Sequence, residues 1–223
     1  MPTTAHQPFV PPGAAPPGSA AVSTGSPVAA PATSATPRDA EPEPSSPTTE
    51  PGRATFFLVS GNFAAFTFIN PLLREVAGLP KNSVGALLLL FGAAGIAGNF
   101  LAGMLLSRDI RRTILILSLT LAAVLALFPL VGANPVGGVA LLVLWGLAFG
   151  GIPVSVQTWI LRSAPDAAEA ATALNTSLFN LAIALGALFG GLVVDHVALR
   201  GVLWLGAVLI LGTSTAVYRA RQK

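Results

Sequence analysis

From residue 54 onward the sequence is a succession of apolar runs, each about 17–25 residues long, and every Asp, Glu, Lys and Arg of this region falls between them. A helix needs about 20 apolar residues to cross the hydrocarbon core of a bilayer. A soluble helix of that length would need a polar face for water, and these runs have none. They predict six membrane-spanning helices over residues 54–73, 84–106, 113–131, 137–161, 170–194 and 202–218. Charge at the bilayer centre is costly, so its confinement to the breaks supports the division. Charged residues make up only 9% of the chain, against about 25% in soluble domains.

This pattern excludes several classes of function. The net charge of +3 sits in loops rather than on a basic stripe, so nucleic acid is not an expected partner. Cysteine is absent, which removes disulfides and thiolate chemistry. His6 and His196 both lie outside the spans, no H-E-x-x-H motif occurs, and no carboxylate pair sits at membrane depth. We therefore expect neither an enzyme nor a metal or cofactor site. Ten arginines against two lysines, with abundant Ala, Gly, Leu and Val, suggest a bacterial gene and hence an inner membrane.

Residues 1–53 have another character, with thirteen of the nineteen prolines among Ala, Ser, Thr and Gly. Such a segment buries too little apolar surface to offset its ordering entropy and reads as a disordered tail. It has no basic start and no apolar h-region, so it does not read as a signal peptide. A start codon assigned too far upstream is the alternative. The transmembrane domain is expected over residues 54–223.

Basic residues set the expected orientation. With six spans the termini share a side, which holds Arg38, Arg53, Arg108, Arg111, Arg112, Arg162, Arg219, Arg221 and Lys223. Only Arg74, Lys81 and Arg200 lie opposite. Nine against three places both termini in the cytoplasm. The domain also repeats internally. A shift of 88 residues brings Arg74 onto Arg162, Gly98 onto Gly186, Gly103 onto Gly191 and Arg112 onto Arg200, so that "GMLLSRDIRR" has a faded copy in "GLVVDHVALR". The shift carries three spans onto three, and an odd number inverts the second copy. Inverted three-plus-three repeats are a transporter signature.

The patch Gly103, Ser107, Arg108, Arg111 and Arg112 resembles the loop motif of the major facilitator superfamily, roughly G-x-x-x-D-R-x-x-R-R. Ser107 replaces the usual Asp, while Asp109 keeps one carboxylate in the loop. The stretches "FTFINPLLREVAGL" and "LWGLAFGGIPVSVQTWILRSAPDAAEAATALNTSLFNLAIALGALFGGLVVD" are similar to the C-terminal half of its drug:proton antiporter branch, especially arabinose-efflux-permease-like transporters. The resemblance covers residues 54–218 and implies an all-α fold, one six-helix half of a twelve-span transporter. The coupling carboxylates of that family, mostly in its first half, have no counterpart here. The first and fourth spans would line a central cavity, the third and sixth would face lipid, and the fifth would meet the other half.

The polar residues follow that division. Asn62, Phe66 and Asn70 are spaced i, i+4, i+8 on span one, and Trp145 and Gln157 lie on span four. These five are the expected cavity residues, fitting a neutral or amphipathic solute such as a sugar or drug. Each amide can equally serve only to bond a neighbouring helix. Gly146, Gly150, Asn175, Asn180, Gly186 and Gly190 are read as helix-packing or interface positions, because small residues let helices approach closely. Arg108, Asp109, Arg111 and Arg112, joined by Arg162, are read as a cytoplasmic gate latch or as orientation anchors alone. The expected function is efflux by alternating access in the bilayer, completed by a second copy of the chain or by a separate N-terminal-half polypeptide. A membrane interaction protein or truncated remnant without transport is the competing reading.

Overall fold

The structure, a computed structural model, describes residues 49–219, with side chains described over residues 51–213. The expected tail therefore lies outside the described residues up to position 48. Its last five positions begin the first helix, α1 (Thr49–Phe66). Pro51 falls in the first turn, where a missing N–H breaks no intrahelical bond.

The remaining elements are α2 (Ile69–Pro71), a π-turn (Leu72–Val76), α3 (Val84–Leu106), α4 (Ile110–Val131), α5 (Pro135–Gly150), α6 (Ile152–Ser163), α7 (Ala168–His196) and α8 (Gly201–Arg219). Four stretches are long and apolar enough to cross a bilayer: Lys81–Leu106, Ile110–Val131, Pro135–Ser163 and Pro165–His196. The bent pair of α1 with the segment Ile69–Val76 makes a fifth when taken as one span, and the apolar part of α8 among the described residues, Gly201–Thr213, is shorter than a span. Two of the spans read as continuous in the sequence are broken. The first bends by 55° after Phe66. Pro71 cannot donate to the Thr67 carbonyl one turn back, and its ring crowds it. The fourth divides at Gly151, two residues before Pro153, for the same reason.

Helix starts in the loops follow local chemistry. The Asp109 carboxylate accepts the Arg112 N–H at 3.1 Å and caps α4. Asn134 does the same for α5, accepting from the Gly137 N–H at 2.8 Å, with Pro135 in the first helical position.

The repeat appears as two crossed pairs. α3 crosses α5 where Gly98 lies against the Leu147 backbone, and α7 crosses α1 where Gly186 lies against Ser60. Gly98 and Gly186 are equivalent under the 88-residue shift, and Ser60 falls within one residue of matching Leu147. Likewise Gly190 meets Ala64 in one pair, and Gly151 meets Ala102 in the other. The second helix of each repeat thus packs on the first helix of the other. A β-carbon at Gly98 or Gly186 would overlap a backbone carbonyl, so glycine permits the approach. Between the pairs lies the larger of two apolar clusters among the described residues. Trp145 is fully buried at its centre, edge-on to Phe66, Phe91 and Phe128 at ring separations of 6.2 Å.

Candidate functional site

Of the five expected cavity residues, Asn62, Phe66 and Trp145 come together in the core, while Asn70 and Gln157 lie apart from them. Asn62 and Trp145 are both fully buried and bond each other, the indole N–H donating to Asn62 Oδ1 at 2.8 Å. Phe66 is half-buried in the aromatic cluster around that bond. Asn70 is exposed. The i, i+4, i+8 stripe requires an unbroken helix, and the 55° bend between Phe66 and Asn70 takes Asn70 off it. Gln157 borders an open cavity.

That cavity is a groove of about 210 Å³ between α6 and α7, lined by Pro153, Val156, Gln157, Asn175, Thr176, Phe179 and Asn180. Its polar groups are ordered from behind. The Thr55 hydroxyl on α1 lies 3.3 Å from Asn175 Oδ1, Asn175 Nδ2 donates to Gln157 Oε1 at 3.4 Å, and Gln157 Nε2 donates to Thr172 Oγ1 at 2.9 Å. The donors run in one direction, which sets the orientation of both amides. The Thr55 hydroxyl has one proton and a second acceptor, the Pro51 carbonyl at 2.9 Å. Asn180 donates to the Thr176 carbonyl of its own helix at 2.9 Å. No lining residue is charged.

Sequence reasoning separates these residues, reading Gln157 as cavity and Asn175 and Asn180 as packing. It passes over Thr55, a lone hydroxyl in an apolar run, and Phe179. The signal available was the spacing of Asn175, Phe179 and Asn180 on one side of α7, facing Gln157 across a short turn. Gly146 and Gly150 lie against Phe91 and Gly95 of α3.

In the loop between α3 and α4, Ser107 donates to the Met104 carbonyl at 2.7 Å. Arg112 lies 3.3 Å from the Asp109 carboxylate that caps its own helix, and both are substantially exposed. A β-carbon at Gly103 would meet nothing within 4 Å. Arg108, Arg111 and Arg162 are exposed. Among the described residues no group of acidic, His or Cys side chains is placed to hold a metal ion.

A helical bundle of apolar spans, built as an inverted repeat with an uncharged groove side by side with buried amides, defines a multi-pass membrane protein of transporter type. Residues 54–222 match the Major Facilitator Superfamily, and the chain belongs to it. It is 33% identical over 164 residues to the purine ribonucleoside efflux pump NepI of Escherichia coli (strain K12), covering 74% of this chain and 41% of that protein. The NepI proteins of Shigella flexneri and of Escherichia coli O127:H6 are similar to the same extent. The chain thus spans about two fifths of the length of these relatives, with the features of a C-terminal half. Its family is one of transporters, not enzymes.

Proposed function

We infer that the chain is one half of an efflux transporter that moves a small uncharged or amphipathic solute across the inner membrane by alternating access. The observation that carries this reading is the bareness of α3 and α7, the equivalent second helices of the two repeats. Leu89, Phe100 and Met104 on α3 and Leu174, Leu181 and Leu188 on α7 are all exposed. Only 17% of the most apolar window of α7 is buried, against 50% of that spanning α5 and α6. In alternating access, two bundles related by an axis along the membrane normal rock against each other. A second copy of this chain, sharing its orientation, or a separate six-span polypeptide supplies the other bundle.

The nine-to-three distribution of basic residues supports cytoplasmic termini. On that orientation the groove lies toward the cytoplasm. Gln157 is six residues before the end of α6 and Asn175 seven after the start of α7, each about 10 Å along its helix. A solute bound for export enters from that side. The relatives' purine ribonucleosides are uncharged, as the groove is, and take the place of the sugar or drug expected from sequence. Arg108, Arg111 and Arg112, joined by Arg162, serve as the gate cations, pairing with carboxylates or helix C-termini when the cytoplasmic side closes.

Native mass spectrometry of the tagged chain, gently extracted from membranes, tests the assembly, and uptake of labelled guanosine into inverted vesicles of the same cells, the equivalent of export from the cell, tests transport. A dimer or a complex with another six-span chain, accompanied by export, is expected. A monomer without export overturns the reading in favour of a membrane interaction protein.

A further inference from the structure

We propose that a second copy of this chain completes the bundle, with α3 of each copy packed antiparallel on α7 of the other along one heptad seam. This names the partner that the transport reading leaves open, and rests on that reading for two bundles of shared orientation.

Gly98 lies against the Leu147 backbone of α5, but a β-carbon at Gly85 or Gly92 on the same helix would meet nothing within 4 Å. Glycine in a helix interior is less stable than alanine, so the packing of a single copy gives no reason for either. Close approach of a helix from outside does. With Leu89, Ile96 and Asn99 they make an exposed stripe on α3 at alternating steps of four and three residues, the spacing of a coiled-coil seam. The equivalent helix of the other repeat carries Ser177, Asn180, Ala184, Ala187 and Gly191, the first three exposed and the last two half-buried. Read in reverse, this second stripe has the same steps of four and three.

Polar groups mark both stripes as covered. Asn99, Ser177 and Asn180 stand about 10, 14 and 18 Å from the nearer ends of their helices, well inside the hydrocarbon core. An amide at that depth facing lipid has no partner for its hydrogen bonds. The Asn99 side chain bonds no other described residue, and Asn180 spends one N–H on its own helix.

The topology sets how two copies meet. Between the end of α3 and the start of α7 the chain crosses twice, through α4 and through α5 with α6, so both ends lie on one side. An axis along the membrane normal sets α3 of one copy antiparallel to α7 of the other, and does so twice. With those ends nearly level, Asn99 meets Ser177 of the second copy, Ile96 meets Asn180 and Gly92 meets Ala184. Leu89 then meets Ala187, and Gly85 meets Gly191. Each large side chain faces a smaller one, the glycines admit the opposite backbone, and the Asn99 amide gains a hydroxyl. The register continues past the helices. Arg108, two residues beyond α3, falls level with Asp166, two residues before α7, and both are exposed. Such surface pairs add little affinity but select partner and register. The two complementary faces belong to one sequence, which makes the occupant a second copy rather than a different chain.

The chain contains no cysteine, so introduced thiols report alone. Copies carrying Asn99→Cys and Ser177→Cys under different tags are expressed together and oxidised in native membranes. A disulfide dimer bearing both tags is expected, with none between Ser177→Cys and Ile116→Cys, an exposed position on α4. Gly92→Leu, which meets open space in its own copy, should lower the cross-linked fraction about tenfold or more by filling the seam. Unchanged helical circular dichroism of this variant verifies its fold. Absence of the dimer, an equal yield from position 116, or indifference to Gly92→Leu overturns the proposal. Guanosine uptake by vesicles in which a different six-span chain replaces the dimer removes the seam and leaves transport standing. The seam without uptake removes transport and leaves the seam.

Discussion

The indole N–H of Trp145 donates to Asn62 Oδ1 at 2.8 Å across the centre of the bundle, where neither residue has any exposed surface. The amide nitrogen of Asn62 has no partner there. The pair therefore ties α1 to α5 through one polar contact in an apolar interior. Leaving a buried polar group without its partner costs about 1–3 kcal/mol. Trp145→Phe should lower stability by at least that much, since it strands the Asn62 amide and also loses indole packing. Asn62→Leu on the Trp145→Phe background should return part of the loss, because both partners are then apolar. Denaturant titration of the four proteins in mixed micelles measures this, and a double variant as unstable as the sum of the singles would contradict it.

The glycine crossings give a second expectation. Gly98→Ala and Gly186→Ala each force a β-carbon onto a backbone carbonyl of the facing helix. Overpacking of this kind typically costs about 1–3 kcal/mol. Gly103→Ala meets open space and should be neutral or slightly stabilising, since Gly inside a helix is about 0.5–1 kcal/mol worse than Ala. Thermal melting in detergent ranks the three. Equal losses at positions 98 and 103 would show that helix approach is not what position 98 requires.

These two cases indicate how far the fold and the site were legible in the sequence. The spans were legible because membrane depth admits no charge, and residues 84–106 coincide with α3 to the residue. The repeat was legible because Gly98 and Gly186 answer one geometric need at two crossings. The breaks at Pro71 and Pro153 were less so, since an apolar run looks the same whether straight or bent. That bend is why Asn62 and Asn70, one face on paper, lie in the core and on the exposed surface respectively. The groove was the least legible feature. It depends on Thr55 of α1 reaching Asn175, which is 120 residues away in the chain, and no local pattern announces such a contact.

At the α3–α4 loop, the carboxylate of Asp109 serves the backbone before it serves any arginine. Asp109→Ala should cost about 0.5–2 kcal/mol through loss of the cap. Asp109→Asn should be close to neutral, because Asn caps equally well and an exposed pair with Arg112 adds little. Hydrogen exchange over the first turn of α4 separates them. Fast exchange in both variants would mean that the ion pair, not the cap, holds the turn.

Thr55 supports the groove without lining it. Its single hydroxyl proton is shared between the Pro51 carbonyl and Asn175 Oδ1. Thr55→Val keeps the shape and removes the donor, freeing the Asn175 amide to rotate. Guanosine binding should weaken by about threefold to tenfold, a loss of the order of one hydrogen bond, with an unchanged melting temperature. Thr55→Ser should restore binding. A loss of binding that Ser fails to rescue would assign Thr55 to packing.

The basic loop makes two roles separable. Replacing Arg108, Arg111 and Arg112 by Gln removes three of nine cytoplasmic-side charges and leaves six against three. Basic asymmetry of that size still favours cytoplasmic termini. A C-terminal reporter fusion should therefore keep its cytoplasmic signal while export, measured in inverted vesicles of the same cells, slows several-fold as the gate loses its cations. Inverted topology would mean the three arginines act only as anchors. Retained topology with unaltered export would remove them from the gate and leave Arg162 as its remaining candidate cation.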